Sequence, residues 1–197
     1  MTIEQYLMKV LSVSKIGKKF STDPYALENY EELEKLTLKM LNQNFTEKVD
    51  ENLFTRDLYP TPNSSIRVII LNELNEILFC KEADDQKWSV PGGWAEIFMS
   101  LSDNAIKEVR EEIGIDISIE RPLATFMREK YRQPKVAISE YVTYFLARIE
   151  SKTPLNIGFE VLDAKFYRLD DHPELSSKTT ITEISMAYDI AINNGDM

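Results

Sequence analysis

Residues 2–16 repeat apolar side chains at helical spacing, with Ile3, Tyr6, Leu7, Val10 and Leu11 on one stripe. A second helix is announced by STDPYALENYEELEKLTLKMLNQ. Asp23 suits the N-cap, Pro24 the first helical position, and Leu27, Tyr30, Leu33, Leu36, Leu38 and Leu41 follow. The pattern predicts a small all-helical N-terminal unit over 1–58. A unit of that size lies below the length at which a lone core is secure, so its apolar stripe should pack on something else. A second copy of the chain is the favoured partner, making a homodimer, and capping of its own subunit is the alternative. The segment LYPTPNSSIR, with two prolines in three positions, reads as the linker.

After the linker the period shortens. IRVIIL and EILFCKE are β-rich runs on either side of NELN, which suggests a hairpin. IDISIERPLATFMRE and AISEYVTYFLARIE read as two long strands, and AKFYRL as another. TTITEISMAYDIAINNG closes the chain as a helix, with Thr180 and Glu183 spaced as a capping box and Gly195 past its end. Strands interleaved with helices, without regular βαβ alternation, predict an α/β sandwich with a mixed sheet over 63–197.

Composition narrows the function. The chain has 197 residues, 43% apolar and 28% charged, which is enough to bury a core. No run of about 18 apolar residues appears, so no membrane-spanning helix is expected. The N-terminus carries an early Glu and lacks a small-residue cleavage site, so it does not read as a secretory signal. Cys80 and His172 are the sole cysteine and histidine, which excludes an internal disulfide and makes zinc a poor fit. A cytoplasmic protein is the expectation. The net charge of −10 disfavours a general polyanion binder, so RNA is a less favoured partner than a small phosphate-bearing substrate neutralised by metal ions.

That condition directs attention to VPGGWAEIFMSLSDNAIKEVREEIGI, Val90 to Ile115. Gly92 and Gly93 permit a tight loop. Ser100, with Asp103 three residues on, marks a helix start, and Gly114 marks its end. Leu101, Ala105 and Val109 share one face with Ile113 beside them, while Glu108, Glu111 and Glu112 occupy an adjoining arc about 100° wide. Like charges at this spacing weaken a helix by a few tenths of a kcal/mol per pair. A solvated face tolerates that cost, but converging carboxylates also suit Mg²⁺ or Mn²⁺, which take oxygen ligands and bridge to phosphates.

From Gly93 the sequence GWAEIFMSLSDNAIKEVREEIGI resembles the Nudix box, G-x5-E-x7-R-E-U-x-E-E-x-G-U with U bulky and apolar. Gly93, Glu108, Val109, Glu111, Glu112, Gly114 and Ile115 match. Met99 stands in place of the first Glu and Lys107 in place of the Arg, two positions that support the metal ligands in the family. DPYALENYEELEKL and YPTPNSSIRVII are similar to the N-terminal region of a bacterial Nudix subgroup with a helical extension, whose members are CDP-choline and ADP-ribose pyrophosphatases.

The resemblance implies a Nudix α/β/α sandwich, Mg²⁺ or Mn²⁺, and hydrolysis of a nucleotide conjugate. CDP-choline is the first expectation and ADP-ribose the alternative. A non-catalytic nucleotide-binding module, weakened by Met99 and Lys107, is the reading of a different class. Residue by residue, it implies metal ligation by Glu108, Glu111, Glu112 and Gly93, with Glu111 and Glu112 also catalytic. Glu160, in NIGFEVLDAKFY, is the candidate general base from outside the box. Arg67, Arg128 and Lys130 are candidates for phosphate contact. An ion pair serves Arg67 equally well, and a solvated basic hairpin serves Arg128 and Lys130.

Overall fold

The structure, a computed structural model, describes residues 3–44, 62–131, 140–150 and 156–193. The chain divides between Thr61 and Pro62 into two compact units. In the first, α1 (Ile3–Phe20) packs against α2 (Pro24–Asn44). Asp23 caps α2 as its sequence predicts, its Oδ1 accepting from the amides of Tyr25 at 2.8 Å and Ala26 at 3.1 Å. Among the described residues of this unit, Leu7, Leu11 and Leu41 form the buried apolar cluster, with Met8 and Leu38 against it. Ile3, Tyr6, Leu33 and Leu36, which belong to the same predicted stripes, remain exposed.

The second unit is built on two three-stranded sheets. In one, β1 (Asn63–Ile70) runs parallel to β5 (Glu140–Ile149), which pairs antiparallel with β4 (Ile117–Met127). In the other, β2 (Ile77–Glu82) lies between β3 (Trp88–Ser89) and β6 (Val161–Tyr167), all antiparallel. Helix α3 (Leu101–Ile113) covers one side of this framework. There Ala105, Val109 and Ile113 meet Ile66, Val68 and Ile70 of β1 and Leu78 and Cys80 of β2. Helix α4 (Ile181–Asn193) covers the other side, where Ile184 and Ala187 meet Ile69, Phe79, Val142 and Tyr144. The result is the expected α/β/α sandwich.

The hairpin expected from IRVIIL and EILFCKE is corrected. Its two strands belong to different sheets and share only a single bridge, Leu71 to Ile77. The free edge of β1 is taken instead by the diglycine loop: Ile66 N donates to Gly93 O at 2.9 Å, Val68 N to Pro91 O at 2.9 Å, and Ala95 N to Ser64 O at 3.0 Å. This swap lays the loop beside α3.

Both helix ends in the second unit follow local rules. Ser100 Oγ accepts from Asp103 N at 3.1 Å, and Gly114, at φ 69°, closes α3 by donating to Arg110 O at 3.0 Å. The capping box of α4 forms as predicted: Glu183 N donates to Thr180 Oγ1 and Thr180 N to Glu183 Oε2, each at 3.3 Å. The first residues of the linker, 58–61, lie outside the described residues, as do 132–139 of the basic hairpin and Gly195. Among the described residues no helix is long and apolar enough to cross a membrane.

Candidate active site

The three acids of α3 meet different environments. Glu112 is buried, at 7% exposure, and its Oε2 accepts from Gly92 N at 3.1 Å. Burial disfavours its charge, and the carboxylates of Glu82 and Glu108 reinforce this. Arg67 and the Gly92 amide oppose them without prevailing, so its pKa is pushed up to about 8. Glu108 is half-buried, and its pKa too is raised, chiefly by burial, with Lys107 opposing and Glu111 and Glu160 reinforcing. Glu111 is exposed and lies 2.6 Å from Lys107 Nζ.

Lys107 also reaches Glu96 at 3.0 Å. Burial opposes its charge, but the hydrogen bonds to Glu111 and Glu96 win and raise its pKa. Glu96 therefore supplies an acid partner for position 107 that Met99 does not. The loop carrying it is held by Asn104, a buried side chain that accepts from Glu96 N at 2.9 Å and donates to Ser100 O at 2.8 Å. The two departures from the box are thus bridged by a neighbouring acid rather than left open.

Gly93, expected to offer its carbonyl to metal, already accepts from Ile66 N through that oxygen, which leaves one lone pair. Glu160 is exposed, immediately before β6. Asn156 N donates to Ile113 O at 3.0 Å, Gly158 N to Glu112 O at 2.9 Å, and Ala83 N to Glu160 O at 2.9 Å. A Cβ on Gly158 would lie 2.0 Å from Glu111 O, so glycine is what lets this loop close on the helix end. Glu160 is tied in this way to the same helix that carries the acids, and its charge is felt by Glu108.

The three cations expected to face phosphate are placed differently. Arg67 is buried on β1, donating through Nη1 to Gly92 O and through Nη2 to Lys178 O. Arg128 is buried as well. It pairs with Glu140 at 3.0 Å, stands 3.7 Å from Glu183, and donates to Lys178 O. Lys130 is exposed, its Nζ 5.5 Å from the Tyr131 ring centre.

Two residues the sequence did not single out complete the neighbourhood. Glu82, at 2% exposure, accepts from Ser89 Oγ and lies 2.6 Å from Lys178 Nζ. Because 95 residues separate Glu82 from Lys178, no local pattern could pair them. Lys178 lines an open cavity of about 460 Å³ together with Ala83, Asp84, Phe159 and Glu160.

As the side chains lie, no three acids among the described residues stand together as a metal-holding group. Lys107 holds Glu111 to itself. The donor chemistry nonetheless fits a hard divalent cation: oxygen ligands, from one buried and one half-buried carboxylate whose charged forms burial disfavours.

The NUDIX domain family profile matches residues 61–185. "Putative ADP-ribose pyrophosphatase YjhB" of Bacillus subtilis (strain 168) is 35% identical over 188 residues, covering 92% of this chain and 88% of its own. Among solved structures, a UDP-X diphosphatase aligns with a TM-score of 0.64 at 25% identity, covering 97% of this chain and 94% of its own. An ADP-ribose pyrophosphatase from Streptococcus suis 89-1591 aligns with a TM-score of 0.59 at 29% identity, covering 68% of this chain and 94% of its own.

Proposed function

Because the chain belongs to the Nudix hydrolase family, whose members hydrolyse pyrophosphate bonds, we propose that it acts on a nucleoside diphosphate conjugate in the cytoplasm. CDP-choline is the substrate we favour, on the likeness of the helical extension to a subgroup that holds CDP-choline and ADP-ribose pyrophosphatases. ADP-ribose is the second reading, favoured by the names of the Bacillus and Streptococcus relatives. The single observation that carries the activity is the acid group of α3 set against the diglycine loop, with Glu112 buried there where its charge is disfavoured and a bound cation would favour it.

In this reading Glu108, Glu112 and Glu111 would hold Mg²⁺ or Mn²⁺. Such a cation, when bound, lends positive charge to the diphosphate and acidifies water. Glu160 accepts a proton from the attacking water. The new P–O bond forms at one phosphorus as the bridging P–O bond breaks, so CDP-choline and water give CMP and phosphocholine. Arg67 keeps the Gly92 carbonyl in place, which holds the loop against Glu112. Incubation with CDP-choline, ADP-ribose and RNA bearing a 5′ triphosphate, each with Mg²⁺ or Mn²⁺, followed by product identification, tests the reading. CMP with phosphocholine is the expected outcome, and AMP with ribose 5-phosphate selects the second reading. Absence of turnover for every substrate contradicts both.

The helical unit is assigned to pairing two copies of the chain, supported by the exposed Ile3, Tyr6, Val13, Ile16 and Phe20 of α1. Sedimentation should give twice the 22.8 kDa of one chain. A monomer at micromolar concentration would refute the assignment.

A further inference from the structure

The two arginines that the sequence offered as phosphate ligands converge on one backbone atom, the carbonyl oxygen of Lys178. Two donors fill both lone pairs of that oxygen. Arg67 also holds Gly92 O, so one buried guanidinium links the diglycine loop to the segment carrying Lys178. Arg128 is fixed in turn by Glu140, at 3.0 Å. Such rigid support for a single backbone position calls for an explanation.

The side chain supplies it. The Lys178 side chain is 37% exposed and lines the cavity together with Glu160 and Phe159, the latter 91% exposed. It lies 2.6 Å from Glu82 and 3.6 Å from Asp84, and it is the lining residue that carries positive charge. A diphosphate entering this cavity otherwise meets the acids Asp84 and Glu160. An ammonium with three donors can keep Glu82 and still reach a phosphate oxygen.

We propose that Lys178 grips an oxygen of the substrate's diphosphate in the cavity bounded by Ala83, Asp84, Phe159 and Glu160, with Arg67 and Arg128 acting as positioning residues through its carbonyl. The inference rests on the reading of the chain as a hydrolase of nucleoside diphosphate conjugates. A plain alternative is that Lys178 only neutralises the buried Glu82.

The experiment uses the full chain and a methylene-bridged nucleoside diphosphate, which cannot be hydrolysed, titrated by calorimetry with Mn²⁺ present. Lys178→Gln should weaken binding roughly tenfold to a hundredfold, the loss of one charge-assisted contact. In turnover the effect should fall on KM rather than kcat, and Lys178→Arg should recover part of it. The double variant Glu82→Gln with Lys178→Gln removes the buried charge and its partner together, which protects the fold, and should bind as weakly as Lys178→Gln. Wild-type affinity in the double variant, or in Lys178→Gln itself, overturns the proposal. If the wild type turns over no conjugate, the functional reading fails, whereas the analogue titration still decides the role of Lys178.

Discussion

Replacing Glu112 with glutamine is expected to lower kcat/KM by about a thousandfold or more while making the metal-free protein more stable. The two effects have opposite signs because the same burial drives both. Glutamine keeps an oxygen to accept from Gly92 N but carries no charge into a site already holding Glu82 and Glu108.

The sign with pH follows from linkage. The carboxyl of Glu112 titrates at 4.5 in an ordinary setting and at about 8 when folded. Between those values the folded state holds a proton that the unfolded state has released. Stability of the metal-free wild type is therefore fully present below about pH 4.5 and falls as pH rises, by about 1.4 kcal/mol per pH unit, until about pH 8. The variant lacks this slope. Urea denaturation with chelator at pH 5.5 and 8.5 measures it: the gap between variant and wild type should widen to several kcal/mol at the higher pH. A gap that does not change with pH, or activity within tenfold of wild type, would count against the role of Glu112.

Gly92→Ala is expected to cost on the order of 3 kcal/mol in stability and most of the activity. The backbone of Gly92 sits at φ 139°, where a side chain is strained, and an added Cβ would lie 2.2 Å from Ile66 O and 2.9 Å from Arg67 Cα. Both contacts are backbone of β1, so no rotamer change relieves them. The loop must leave the strand edge, taking with it the amide that meets Glu112 and the carbonyl that meets Arg67. The urea midpoint reports the loss. A shift equivalent to less than about 1 kcal/mol would mean that the loop adapts without leaving β1.

What the sequence made legible was local. The starts of α2, α3 and α4 were readable at Asp23, Ser100 and Thr180, because each cap is a side chain bonding its own next turn. Helical spacing put Glu108, Glu111 and Glu112 on one arc of α3, but it did not reveal that Glu112 is buried while Lys107 holds Glu111 at the surface. The hairpin reading failed where a distant segment competed. The edge of β1 accepts the Val90–Gly93 loop, and β2 pairs with β3 and β6 instead.

Charge placement was the least legible part. Arg67 lies in an apolar strand run, and nothing in IRVIIL reveals that its guanidinium turns to the carbonyls of Gly92 and Lys178. Glu96 could have been found by asking which nearby acid reaches Lys107 once Met99 does not. Glu82 and Lys178 had no such signal, because strand pairing and a late loop bring them together.

Manganese anomalous scattering from crystals grown with a methylene-bridged nucleotide tests the central claim most directly. Peaks beside α3 within coordinating reach of Glu108 and Glu112, at roughly 2.2 Å from their oxygens, are the predicted result. Density for the nucleotide with no manganese beside that helix would contradict it.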